Sequence, residues 1–312
     1  MRDTRLVFVE GLTGSGKSTS AQWLCRLLES NGLPVTWYHE LDMHHPVVRY
    51  NDVERTARSP EACDAFHAES RGRWNDFVAA ATDGARVSIF DGSLLQVPLY
   101  SMLTAMCGGD AVTRHVDDVE RIVSPLKPVL IFLGHADMVS AFDRTCALRP
   151  GFEQYVLEQV ATTPYGRQNG VADRAGLLRL LLEQRALARR LMGTRRMDVL
   201  DIEVDEARWD DYRTTMAGFV GVPGGAQPPM VDLSGLPGRY LDAESNEMVV
   251  DVDGRGLFLQ PSGTRLLARR ADAFDIEGLS VELTFEREGD VAARILCAAR
   301  VTDFGTVWVR QG

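Results

Sequence analysis

The stretch Gly11-Leu12-Thr13-Gly14-Ser15-Gly16-Lys17-Ser18 fits the pattern G-x-x-x-x-G-K-[ST] without a mismatch, and each choice has a chemical reason. Glycines let the backbone curl into a nest whose N–H groups converge on a phosphate, and a helix starting at the nest brings its positive end to the same point. Lys17 supplies a point charge that spans the β- and γ-phosphates, and the Ser18 hydroxyl is placed to ligate Mg²⁺. Thr13, Ser15 and Thr19 complete the candidate nucleotide-binding set with Gly11, Gly14, Gly16, Lys17 and Ser18. ATP and Mg²⁺ are the expected cofactors.

Such a nest works only between a strand and a helix. Leu6–Val9 before it is a short apolar run and Ala21–Leu28 after it has helical character, which is the required context. In an open parallel sheet ligands bind beyond the carboxyl ends of strands, so acids just after strands are the next candidates. Glu40, with Asp42 close behind, follows Val35–His39, and Asp91 follows Val87–Phe90. A carboxylate in either place can accept a hydroxyl proton or orient metal-bound water; for Glu40 a solvated loop charge is the competing reading. His39 to His45, "HELDMHH", matches no zinc spacing and reads as loop histidines lining an acceptor pocket, with a zinc site as the alternative. His67, His115 and His135 read as surface residues. Arg167, after Pro164-Tyr165-Gly166, reads as an exposed arginine, with an added cation for the site as the alternative.

The elements that must hold these residues follow from periodicity. Across residues 1–222 short apolar runs alternate with helical patterns, giving an α/β domain with strands at Leu6–Val9, Val35–Tyr38, Val87–Phe90, Val129–Leu133 and Val199–Val204. The expected architecture is a P-loop NTPase-type parallel five-stranded sheet with flanking helices. Ser59-Pro60-Glu61 starts a helix that runs toward Gly84, and Leu177–Leu191 carries a leucine stripe suited to core packing. Residues 223–238 are rich in glycine and proline and read as a linker. From 239 to 312 the grammar becomes that of a small all-β meander, with strands at Glu247–Val252, Gly256–Gln260, Arg265–Ala268, Leu279–Glu286, Val291–Ala298 and Thr306–Val309.

Composition excludes some classes. The 312 residues are 45% hydrophobic with a net charge of −10 and no Lys/Arg run interleaved with aromatics, so neither nucleic acid nor membrane is an expected partner. A small-molecule phosphate acceptor is. The chain enters its first strand at once, leaving no room for an export signal, so a cytoplasmic location is expected. Five cysteines, Cys25, Cys63, Cys107, Cys146 and Cys297, form no CxxC pair and read as reduced, mostly buried thiols.

"FVEGLTGSGKST", with Glu10 before the loop and Thr19 after it, resembles the opening of the thymidylate kinase and deoxynucleoside kinase group of P-loop kinases. "KPVLIFLGHADMVSAFDRTCALRPGFEQY" resembles that group's fourth strand and the helix leading to its lid, which implies that Arg144 and Arg149 close over the transferring phosphate. "MDVLDIEVDEARWDDY" resembles its last strand and helix, whose joining loop lies near the adenine. The resemblance further implies Asp91 in the Mg²⁺ shell, with base duty open to it, and Glu40 at the acceptor as binding group or general base. The chain departs from the group at Asp91-Gly92-Ser93, where an arginine usually follows the acid. It also lacks the N-K-x-D guanine motif and an ABC-type signature. The C-terminal segment resembles the small β-domain appended to some serine-hydrolase proteins of the β-lactamase group, without G-x-S-x-G, and reads as an accessory module for substrate coverage or homodimer formation. The function expected is an ATP- and Mg²⁺-dependent kinase of a nucleoside-like metabolite or a natural product such as an antibiotic. The alternative is a regulatory nucleotide-binding NTPase whose β-domain contacts a protein partner.

Overall fold

The architecture is taken from a computed structural model that describes residues 3–49, 53, 56–82, 84–205, 208–224, 229–300 and 306–311. Two compact units divide the chain: Met1–Glu40 with His45–Gly225, and Leu41–His44 with Ala226–Gly312. In the first, β1 (Leu6–Gly11), β2 (Val35–Tyr38), β3 (Val87–Asp91), β4 (Val129–Gly134) and β5 (Asp198–Glu203) form a parallel sheet of order β2-β3-β1-β4-β5. This is a P-loop NTPase fold. Its central strands are buried along their whole length, which is why β1, β3 and β4 read as nearly unbroken apolar runs.

The helices that cover this sheet, among the described residues, are α1 (Lys17–Ser30), α2 (Ala62–Thr82), α3 (Gln96–Thr104), α4 (Gly109–Val123), α5 (Met138–Leu148), α6 (Phe152–Ala161), α7 (Pro164–Gln168), α8 (Arg174–Met192) and α9 (Trp209–Val220). One face of the sheet packs Phe8, Phe90 and Phe132 against Trp74, Phe77 and leucines of α3 and α8. Phe90 sits at the centre of an aromatic cluster, stacked on Tyr38 at 4.9 Å and edge-on to Phe77 at 4.9 Å. Truncating such a ring to alanine costs about 3–5 kcal/mol. That cluster fixes the end of β3, and Asp91 is the next residue.

Two sequence expectations change here. Cys63 and Cys107 are joined in a disulfide, whereas Cys25, Cys146 and Cys297 are free thiols. The start of α2 and the turn after α3 bring the first pair to a Cα separation of 5.9 Å, a proximity that spacing along the chain does not reveal. The histidines also differ from a surface assignment: His115 and His135 are buried, and His67 is half-buried. Arg167 is exposed and donates to Thr162 O.

The second unit is a closed eight-stranded antiparallel barrel of β6 (Gly238–Leu241), β7 (Glu247–Asp253), β8 (Gly256–Gln260), β9 (Thr264–Arg270), β10 (Ala273–Ile276), β11 (Val281–Glu288), β12 (Val291–Ala299) and β13 (Val307–Arg310). The meander is therefore closed: β13 pairs with β6, with Val309 opposite Leu241 and Arg310 opposite Tyr240. Closure removes the exposed strand edges that an open meander would carry. The four-residue strands β6 and β10 were too short to read from periodicity. Within the Gly/Pro-rich segment residues 225–228 lie outside the described residues, while Leu236 is fully buried in the barrel core beside Tyr240 and Ile295. No helix among the described residues is long and apolar enough to cross a membrane.

Candidate active site at the carboxyl ends of the strands

The phosphate loop leaves β1 and enters α1 at Lys17. Its tight shape depends on glycine at two positions. Gly14 has φ +82° and Gly16 φ +77°, both in the left-handed region that disfavours side chains. A Cβ on Gly14 would collide with the Thr145 hydroxyl of α5, and one on Gly16 would come within 2.5 Å of the Trp209 indole. The loop is thus gripped from α5 on one side and from the start of α9 on the other. His135, just past β4, donates from Nε2 to Gly14 O at 3.1 Å and adds a third support.

Lys17 is buried, and its Nζ lies 3.6 Å from Glu40 Oε2. Asp91 is fully buried, and neither of its carboxylate oxygens receives a hydrogen bond of ordinary geometry. Burial, reinforced by the charge of Glu40, pushes the Asp91 carboxyl well above the usual carboxylate range, against the pull of Lys17 and the neighbouring Ser18 hydroxyl. His39 Nε2 lies 4.0 Å from Asp91 Oδ2. The sequence candidates Lys17, Ser18, Glu40 and Asp91 therefore converge at one place. Ser15 Oγ, Glu40 Oε2 and Gln96 Oε1 are buried there without hydrogen-bond partners as well. A cluster of unsatisfied buried oxygens costs stability, on the order of 1–3 kcal/mol each, and calls for cations or donors from outside the chain. The carboxylate and hydroxyl set of Asp91 and Ser18 is oxygen-only, which suits Mg²⁺. No group of three or more His, Cys, Asp or Glu suited to a metal ion occurs among the described residues, the "HELDMHH" stretch included.

His45 has a different role from a pocket-lining ligand. Its Nδ1 accepts from Val47 N at 3.2 Å and Val48 N at 2.8 Å, so Nε2 carries the proton and donates to Ser93 Oγ at 3.1 Å. Ser93 Oγ in turn donates to Asp91 O at 3.1 Å. Burial first, then His39 and Arg73, push the His45 imidazole down to about 3, which keeps it neutral in this relay. Ser93 thus links His45 to the Asp91 backbone and braces the turn.

Arg144 and Arg149, the two arginines expected at a lid, sit in different settings. Arg144 is part-buried on α5, next to Thr145, which packs on Gly14. Arg149 ends α5, is exposed, and lays its guanidinium over the Phe152 ring at 5.7 Å. Residues 206–207 of the loop between β5 and α9 lie outside the described residues. Tyr212 braces that loop, donating to Glu203 O at 3.0 Å and accepting from Asp205 N at 2.6 Å.

A second depression lies at the opposite, amino end of the sheet: a cleft of about 670 Å³ bordered by Asp3, Asp117, Glu120, Lys127 and Asp198. Its charges already have partners. Lys127 pairs with Asp3 at 2.8 Å, and Glu120 accepts from Arg195, Arg196 N and Met197 N.

No protein-family model and no curated protein matches the chain. Solved structures that resemble it include thymidylate kinase from Candida albicans, at 15% identity and a TM-score of 0.40 over 70% of this chain and 91% of that one. Shikimate kinase from Acinetobacter baumannii matches at 13% identity and a TM-score of 0.33 over 70% and 93%. A GTPase from Pyrococcus abyssi matches at 14% and 0.30 over 72% and 100%.

Proposed function

We propose that this protein is an ATP- and Mg²⁺-dependent phosphotransferase acting on a hydroxyl of a small molecule, of the nucleoside-like or natural-product kind. The observation that carries the reading is the meeting of Lys17, Glu40 and Asp91 beside the phosphate loop, with buried oxygens left unsatisfied. Backbone N–H groups from Thr13 to Ser18 hold the phosphates of the donor. Ser18 and Asp91 would hold Mg²⁺, which supplies charge neutralisation on the transferred group. Lys17 exchanges its contact with Glu40 for the γ-phosphate, and Glu40 is then free to orient the acceptor hydroxyl and take its proton. Arg144, carried by the helix that grips Gly14, stabilises charge on the group in flight.

The test is to incubate the protein with MgATP and panels of nucleosides, nucleotides and aminated or glycosylated antibiotics, reading phosphorylated product by mass. A product with one added phosphoryl group supports the reading. MgATP hydrolysis with no product in any panel would instead favour a regulatory NTPase.

A further inference from the structure

Glu10 is a buried acid beside the site that the mechanism above leaves unused. It is the penultimate residue of β1 and is fully buried. Its Oε1 accepts from Leu94 N at 2.6 Å and its Oε2 from Gln96 N at 3.1 Å, partners 84 and 86 positions along the chain. Gln96 N opens α3 and Leu94 N lies just ahead of its cap residue Leu95, which contributes no side-chain hydrogen bond. The first N–H groups of a helix need acceptors, and here a remote carboxyl group supplies them. Burial raises the Glu10 carboxyl to about 8, and the N–H groups of Leu94, Gln96 and Leu95 oppose that rise. A buried acid is costly to keep unless its geometry is used.

What the clasp connects is informative. On one side is the strand that launches the phosphate loop; on the other is the turn bearing Asp91, Ser93 and Gln96. Beside Gly92 in that turn stand Glu40 and Lys17, close enough that a Cβ there would lie 2.6 Å from Glu40 Oε2 and 3.1 Å from Lys17 Cε. A shift of the turn therefore changes the spacing of Asp91 from the loop directly.

We infer that Glu10 is a positioning residue for phosphoryl transfer: it clasps the Asp91–Gln96 turn to the phosphate-loop strand and so sets the distance between Asp91 and the transferred group. This rests on the phosphotransferase reading. Glu10→Gln keeps the size but turns an NH₂ group toward an N–H, so one anchor is lost. A misplacement of reacting groups by about 1 Å costs on the order of 10²-fold in rate. Glu10→Asp keeps both acceptors and withdraws them by one methylene, about 1.5 Å, for an intermediate loss.

The experiment measures MgATP turnover, the Mg²⁺ concentration at half-maximal rate and ATP affinity for the parent, Glu10→Gln and Glu10→Asp, with thermal melting of each. The expected result is kcat in the order parent, Asp, Gln, with a loss of about 10²-fold in the Gln variant, a raised Mg²⁺ requirement, and ATP affinity within a few-fold of the parent. A role in folding alone would lower the melting temperature and leave kcat and Mg²⁺ dependence per folded molecule unchanged. That outcome overturns the inference. Should Glu10→Gln fail to fold, Glu10→Asp decides: parental kcat and parental Mg²⁺ dependence there overturn it equally. A parent that neither binds nor turns over MgATP overturns the phosphotransferase reading, whatever the Glu10 variants do.

Discussion

The two ends of the parallel sheet differ in whether their buried polar groups have partners. At the amino end a cleft of about 670 Å³ is rimmed by charges that are already paired, Lys127 with Asp3 and Glu120 with Arg195. At the carboxyl end Ser15, Glu40, Asp91 and Gln96 bury oxygens with no hydrogen-bond partner. Folding satisfies buried polar groups almost everywhere, so a concentration of exceptions marks where something else must bind. The comparison teaches that groups left unsatisfied by folding, and not the presence of a cleft, single out the candidate site.

That contrast can be broken by substitution at either end. The largest effect is expected at Lys17, where Lys17→Ala removes the charge that follows the γ-phosphate; transfer should fall by about 10³-fold or more with folding intact by circular dichroism. Next are the two acids, which should fail differently. Glu40→Gln should reduce transfer to the acceptor by about 10²- to 10⁴-fold while uncoupled ATP hydrolysis and Mg²⁺ titration stay near parental. Asp91→Asn should weaken the Mg²⁺ dependence and slow hydrolysis and transfer together, because both share the metal. A smaller effect is expected at Arg144, where alanine should lower kcat more than ATP affinity in steady-state titrations. At the amino end, Lys127→Ala should leave turnover unchanged and the denaturation midpoint close to the parent's, because the pair it breaks is exposed. Lost turnover there would erase the distinction between the ends.

The histidines sharpen the contrast through pH. His115 is buried between α2 and α4, its Nδ1 3.1 Å from His67 Nδ1, and burial first, then His67, depresses it to about 3. A histidine depressed in the fold is held neutral, so its stability contribution is intact above an unfolded value of about 6.5 and is lost as pH falls from there toward 3. Each pH unit in that window should cost about 1.4 kcal/mol for this group. In denaturant titrations from pH 7 to 4, stability should fall less steeply with pH in His115→Asn than in the parent. A parallel pair of curves would contradict the assignment.

Much of the working end was legible because its signals are local. The glycine spacing around Lys17, the strand before it and the helix after it all lie within thirty residues, and Glu40 and Asp91 each follow a short apolar run. What was not legible depends on contacts between distant segments. Glu10 meets Leu94 and Gln96 across 84 or more positions, His135 reaches back to Gly14, and Cys63 finds Cys107. Periodicity carries no information about such pairings. His115 and His135 were misassigned for the same reason, since a histidine's burial is decided by the helix or strand end opposite it. The barrel shows the limit in another form: its longer strands alternate clearly, but closure rests on the pairing of β13 with β6, and each is four residues long.

Equilibrium titration of ATP into the parent, Lys17→Ala and Lys127→Ala, with and without Mg²⁺, tests the central claim most directly. The account predicts one ATP per chain, tighter binding with Mg²⁺, a loss of at least about tenfold in affinity in Lys17→Ala, and parental binding in Lys127→Ala. Parental ATP affinity in Lys17→Ala, or weakened binding in Lys127→Ala alone, would place the nucleotide elsewhere and contradict it.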